Sequence, residues 1–216
     1  AISKGCTKYT SARGIAQLRE EICGFLQAKK NVETTPENVV VTPGAKQAIF
    51  YALASALDEG DEVLVPEPSW VSFRDIVKIN GGKPVAVPAA KDREFIPPLS
   101  ELAEKITART KAIILNNPTN PTGAMYSKKY VSELIELCEK RDVFLIADEI
   151  YSDIVFDGVK FFSAGEVGSP NVILVNGVSK MSAMTGWRLG YLVAGKEVAD
   201  ACVKIQQQTG TCAMSI

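Results

Sequence analysis

Apolar positions along the chain alternate between helical spacing and short continuous runs. Ile15, Leu18, Ile22, Phe25 and Leu26 recur at helical spacing between Gly14 and Lys30, which predicts an amphipathic helix. Val39-Val40-Val41 then predicts a strand. A second helix follows Gly44 through Ile49, Leu53 and Leu57 to a stop at Gly60, and Glu62 to Val65 reads as the next strand. Ser69 to Asn80 predicts a helix ending at Gly81-Gly82, followed by a strand at Val85 to Val87, a helix at Leu99 to Ile106 and a strand at Ala112 to Leu115. Ser127 to Lys140 is a helix, Val143 to Ala147 and Val172 to Val175 are strands, Leu189 to Ala194 is a further strand, and a final helix starts near Glu197. Short β-rich runs alternating with helices predict a layered α/β domain with a mostly parallel sheet.

Composition narrows the chemistry. With 46% hydrophobic residues the chain can bury a sizeable core. Lys plus Arg total 24 against 25 Asp plus Glu, and the net charge of -1 gives no electrostatic footprint for nucleic acid or an anionic membrane. Small-molecule chemistry is therefore the better expectation. The longest apolar runs are far too short to span a bilayer and no charged-then-apolar signal segment opens the chain, so a cytoplasmic location is expected. Five cysteines (Cys6, Cys23, Cys138, Cys202, Cys212) are scattered and never spaced Cys-x-x-Cys, which points to buried free thiols rather than disulfides or a zinc site. Histidine is absent. That removes serine-histidine and cysteine-histidine nucleophile pairs and most zinc or non-haem iron sites, so no metal is expected and acid-base work falls to Lys, Tyr, Asp, Glu or Cys. With no internal repeat or long linker, residues 1–216 read as one domain. The chain opens at Ala1 without a methionine and stops at Ile216 before an obvious cap, which suggests a piece of a longer polypeptide.

In sheets of this kind, ligands collect at the carboxyl ends of parallel strands. Past Val39 to Thr42 comes Pro43-Gly44-Ala45-Lys46 opening a helix, whose free N–H groups and dipole suit a phosphate, although a glycine before a helix is more often a plain turn. Past Ala112 to Leu115 comes Asn116-Asn117-Pro118-Thr119-Asn120-Pro121-Thr122-Gly123, either a set of donors for an anion or a structural turn. Past Val143 to Ala147 comes Asp148-Glu149-Ile150-Tyr151. A carboxylate at a buried strand end is expensive unpaired, so Asp148 should have a cationic partner. Past Val172 to Val175 comes Asn176-Gly177-Val178-Ser179-Lys180, then Gly186-Trp187-Arg188. A lysine near a strand end is usually a solvated surface group, but facing a partly dry pocket it can act as an amine nucleophile. Together, a phosphate cradle, carboxylate, tyrosine, lysine and arginine in successive loops match the demands of pyridoxal phosphate.

These motifs carry a family resemblance. Thr7-Lys8-Tyr9, Pro43-Gly44-Ala45-Lys46-Gln47-Ala48, Asn117 to Gly123, Asp148-Glu149-Ile150-Tyr151, Ser179-Lys180 and Met184 to Tyr191 stand in one order, and the chain resembles the class I and II aminotransferases of the fold-type I pyridoxal-phosphate enzymes, nearest the prokaryotic aspartate aminotransferase subgroup. The resemblance implies a three-layer α/β/α large domain with pyridoxal 5'-phosphate as cofactor. Lys180 would hold it as a Schiff base and shuttle a proton at the substrate Cα, and Asp148 would pair with the ring nitrogen. Tyr151 and Asn120 would bond the phenolic oxygen, Asn120 also touching the substrate carboxylate. Trp70 would stack on the ring at the substrate side, although a tryptophan at helical spacing is more often plain core. Gly44, Ala45, Lys46 and Arg188 would hold the phosphate. Many relatives carry a serine where Gly177 stands, and Ser179 is the candidate to replace its hydroxyl. Tyr9 would reach the neighbouring site of a homodimer. The small domain and its carboxylate-binding arginine would lie beyond Ile216.

The function implied is amino-group transfer between an L-amino acid, aspartate or an aromatic one, and a 2-oxo acid such as 2-oxoglutarate. A carbon-sulfur β-lyase or synthase on the same scaffold is the alternative within enzymes. A cofactor-sensing domain of a transcription regulator is the alternative outside them.

Overall fold

The computed structural model describes residues 2–215; Ala1 and Ile216, the ends of the expected domain, lie outside the described residues. In chain order the elements are α1 (Ala16–Lys30), β1 (Val39–Thr42), α2 (Ala45–Ala56), β2 (Glu62–Glu67), α3 (Ser72–Ile79), β3 (Lys83–Pro88), α4 (Leu99–Lys105), β4 (Thr110–Asn116), α5 (Lys128–Arg141), β5 (Phe144–Asp148), β6 (Val172–Gly177), α6 (Val178–Met181), β7 (Gly190–Val193) and α7 (Lys196–Thr209). Local chemistry sets several ends. Ser127 caps α5 by accepting from Tyr130 N at 3.2 Å, and α1 and α5 stop at Asn31 and Asp142, both left-handed with φ of 53° and 52°. Asx residues tolerate that conformation better than other non-glycine residues.

The seven strands form one sheet in the order β1-β7-β6-β5-β4-β2-β3. Pairing is parallel from β3 through β2, β4 and β5 to β6, and β7 runs antiparallel to both β6 and β1. β7 is thus the one strand directed against the rest, which agrees with a mostly parallel sheet.

Side-chain alternation along the central strands feeds two separate cores. Leu64, Ile113, Leu115, Leu145, Ala147 and Leu174 pack against Ile22 and Leu26 of α1, Leu102 of α4 and Leu134 of α5. Val63, Val65, Ile114, Ile146, Ile173 and Val175 pack against Ile49 of α2, Phe73 and Ile76 of α3 and Ala199 of α7. Helices therefore cover both faces, giving three layers, α/β/α. Each fully buried aliphatic side chain contributes about 1.5–3 kcal/mol, so the apolar runs legible in the sequence are also what holds the layers together.

Three expectations need correction, and one element was not foreseen. The helix expected from Ser69 starts at Ser72, leaving Trp70 in the turn before it. Lys180 rides on a short helix, Val178–Met181, that no periodicity announced. The strand expected at Leu189 to Ala194 narrows to Gly190–Val193. Of the cysteines, all free, Cys138 and Cys202 are buried, Cys23 and Cys212 half-buried and Cys6 exposed.

Candidate active site

The carboxyl ends of β1, β4, β5 and β6 open on one pocket of about 350 Å³. Its lining includes Ala45 and Lys46 from α2, Asn120 past β4, Asp148 at the end of β5, Tyr151 just beyond, Ser179 and Lys180 on α6, and Arg188 before β7. Trp70 closes one side, in edge-to-face contact with Phe73 at 5.4 Å and under the Lys46 ammonium at 4.7 Å. It serves as pocket wall and core edge at once. Ile49, Asn116, Ile150 and Thr185 also line the pocket and were not singled out from sequence. Asn116 was the accessible one, since it is the last residue of a buried strand in the loop already flagged.

Asp148 is 4% exposed, and its side chain accepts a hydrogen bond from Ile150 N at 3.2 Å. Burial pushes its pKa up to about 7, with the Ile150 N–H pulling the other way. Among the described residues no lysine or arginine pairs with it, so the cationic partner expected from sequence is not found among them. Lys180 lies on the same pocket, its Nζ 5.6 Å from the centre of the Tyr151 ring, and is exposed, so of the two surroundings open from sequence it has the more solvated one. Asn120 Nδ2 points to Tyr151 Oη at a long 3.5 Å, while Asn120 N is held by Asn116 Oδ1 at 2.7 Å.

The loop after β4 divides its asparagines differently from expectation. Asn116 Nδ2 donates to the Asp148 carbonyl at 3.0 Å and Asn117 Oδ1 accepts from Tyr126 N at 3.1 Å, so both amides are engaged within the protein; Asn116 and Asn120 line the pocket and Asn117 does not.

Across the pocket, Gly44 precedes α2 with φ of 94°, a conformation suited to glycine. A Cβ there would run into the Arg188 guanidinium. Arg188 is held by two carbonyls, Nη1 donating to Thr185 O at 2.9 Å and Nη2 to Pro43 O at 3.2 Å. Its charge thereby sits beside the first turn of α2, whose leading N–H groups have no carbonyl ahead of them to bond. The hydroxyl absent at Gly177 has a steric explanation. A Cβ at that position would lie 2.8 Å from both Gly190 Cα and Leu189 O. Ser179 is buried on the pocket wall. Tyr9 stands apart, 85% exposed, beside Thr7, Lys8 and Cys212 to Ser215.

A family model for aminotransferase class I and II matches residues 1–214. The chain belongs to this family. The aspartate/prephenate aminotransferase of Thermus thermophilus is 40% identical over 211 residues, covering 98% of this chain and 54% of that relative. The aspartate aminotransferase of Bacillus subtilis is 36% identical over 219 residues, 100% of this chain and 56% of that one. The solved structure of the Thermus thermophilus aspartate aminotransferase with maleate superposes with a TM-score of 0.96 at 39% identity, over 100% of this chain and 56% of that one. An aromatic aminotransferase from Pyrococcus horikoshii gives 0.95 at 37%, over 99% and 58%. The chain spans about half the length of the curated relatives it matches.

Aminotransferases of this class use pyridoxal 5'-phosphate, and the pocket of this chain fits that group. It offers a buried carboxylate without a protein cation for a protonated ring nitrogen, a primary amine for an aldehyde, and a helix N-terminus with an adjacent guanidinium for a phosphate.

Proposed function

We propose that this chain is the cofactor-binding large domain of a pyridoxal-phosphate-dependent aminotransferase that moves an amino group between an L-amino acid and a 2-oxo acid. The observation that carries the reading is that Lys180 and Asp148, from different loops, line one pocket with the N-terminus of α2 and Arg188. When bound, the cofactor supplies an electron sink for the pair left behind as the substrate Cα loses its proton.

The chain's own residues do the rest. Lys180 is the tethering amine and the group that takes and returns the proton at the substrate Cα. Asp148 holds the ring nitrogen in its protonated form, its own carboxyl gaining the partner that burial makes necessary. The N–H groups at Ala45 and Lys46, the Arg188 fork and the Ser179 hydroxyl hold the phosphate; the Gly44 N–H, expected to join them, is instead bonded to Thr42 O at 2.7 Å, and Gly44 serves the turn. Tyr151 and Asn120 face the phenolic oxygen, and Trp70 supplies a flat wall for the ring beside the substrate.

Aspartate or aromatic amino acids are the proposed amino donors, supported by the names of the relatives, with 2-oxoglutarate proposed as the acceptor. A cytoplasmic homodimer is proposed as the working form, with Tyr9 serving the neighbouring site. Its exposure and its position outside its own pocket support that role. No helix among the described residues is long and apolar enough to cross a membrane.

The test is direct. Intact protein incubated with pyridoxal phosphate, reduced with borohydride and digested should give one modified peptide, carrying the adduct on Lys180. Lys180→Ala should give none. An adduct on another lysine, or none in the wild type, overturns the assignment.

A further inference from the structure

On the face of the sheet opposite the pocket, buried polar groups link the two loops that carry Tyr151 and Lys180. Asn176 Nδ2 donates to Ser152 Oγ at 3.1 Å, and Ser152 Oγ donates on to Asp153 Oδ2 at 3.0 Å. Asn176 Oδ1 accepts from Gly177 N at 2.7 Å. Asp153 Oδ1 is bound by Lys30 Nζ at 2.9 Å, from the last residue of α1, with the Lys30 side chain only 5% exposed. Asn176 and Ser152 are themselves buried, at 1% and 3% exposure. Glu149, nearby on this side, is bound separately by Ser163 Oγ and Ala164 N, so it does not compete for these groups.

The position of this link matters more than its strength. The β5–β6 ladder ends at Asp148 opposite Val175, with Glu149 N bonded to Val175 O at 2.9 Å. The Asn176–Ser152 bond lies one step past that last rung. It ties the residue directly after Tyr151 to a residue four positions before Lys180. Apolar side chains could fill the same volume, but a buried hydrogen-bonded pair also fixes direction and distance.

We propose that Asn176 and Ser152 are positioning residues, whose hydrogen bond sets the spacing and orientation of Tyr151 relative to Lys180. Their role rests on reading Lys180 as the cofactor-bearing amine.

In the intact protein loaded with pyridoxal phosphate, the pH titration of the lysine-linked absorption reports on the Tyr151 hydroxyl, because a donor at the phenolic oxygen favours the deprotonated form. Ser152→Ala and Asn176→Ala should each raise the titration midpoint by about one pH unit, and Ser152→Thr should restore it. On the titration midpoint the double variant should add less than the sum of the singles, since each single already removes the Asn176–Ser152 bond. Cofactor affinity should change by less than about threefold, because the phosphate contacts are untouched. Ser152→Ala deletes a single hydroxyl and carries the test if Asn176→Ala is not recovered folded. Should both alanine variants fail to fold, Ser152→Cys, which keeps the volume and weakens the bond, carries the same expectation. An unchanged midpoint with a lowered melting temperature overturns the proposal, leaving the pair a structural bond only. Wild-type protein without lysine-linked absorption overturns the Lys180 reading itself, and this inference with it.

Discussion

Asp148 and Glu149 are neighbours in the chain, yet they face different surroundings. Glu149 is satisfied within the protein, by Ser163 Oγ at 2.8 Å and Ala164 N at 2.7 Å. Asp148 looks into the pocket with the Ile150 N–H as its donor. Asp148→Asn keeps the shape and removes the charge, so Lys180 should still capture the cofactor while turnover falls about 10²–10³-fold, the usual loss of one preorganised electrostatic contact. Steady-state kinetics of the loaded enzyme check this, and a kcat within about threefold of wild type would exclude the carboxylate as partner of the ring nitrogen. Lys180, Asp148, Tyr151 and Asn120 were legible in the sequence because they stand in segments past apolar runs, and Arg188 through the motif before Gly190; the family resemblance supplied their roles. Thr185 and Ile49 were not. Thr185 reaches the pocket through a 3-10 turn without hydrophobic period, and Ile49 reads only as a core position of α2.

Where β6, β7 and the turn into α2 meet, backbone packs on backbone. A Cβ at Gly177 would lie 2.8 Å from Gly190 Cα, and one at Gly190 would lie 2.9 Å from Gly44 Cα. The turn into α2 is thereby backed by the start of β7, which in turn is backed by the end of β6. Gly177→Ser would supply the hydroxyl that many relatives carry, but here it overpacks this contact. The expected result is a loss of about 1–3 kcal/mol in stability with no gain in cofactor affinity, read by denaturant melts and cofactor titration. Tighter cofactor binding at undiminished stability would show that the elements separate easily and that the hydroxyl was simply absent. Helices and strands were foreseen from period and run length. Their ends were less so: Trp70 falls in a turn because α3 starts only at Ser72, and α6 is too short to show any period.

Across the whole molecule, the two buried acids whose carboxyls are raised, Asp148 and Glu149, give stability a pH dependence. Burial pushes Asp148 up to about 7 and Glu149 up to about 8, from ordinary values of 3.8 and 4.5. A carboxyl raised in the folded state lends stability that is full below its unfolded pKa and lost as pH rises through the folded one. Cofactor-free protein should therefore melt at a higher temperature near pH ~5.5 than near pH ~9. Asp148→Asn should flatten that slope, and so should pyridoxal phosphate, whose ring cation would offset the Asp148 charge. A melting temperature that rises steadily to pH ~9 in cofactor-free protein would contradict the raising of these two buried carboxyls by desolvation. By itself the sequence determined the layered α/β class and the run of strand-end loops that bear the chemistry, because both follow from local period and from which residues end an apolar run. Only the tertiary structure decided that Asp148 pairs with no cation among the described residues, that Gly177 has no room for a side chain, and that Asn176 bonds Ser152 behind the pocket. Each of these depends on strands distant in sequence lying side by side at a particular register, and no local pattern encodes that distance.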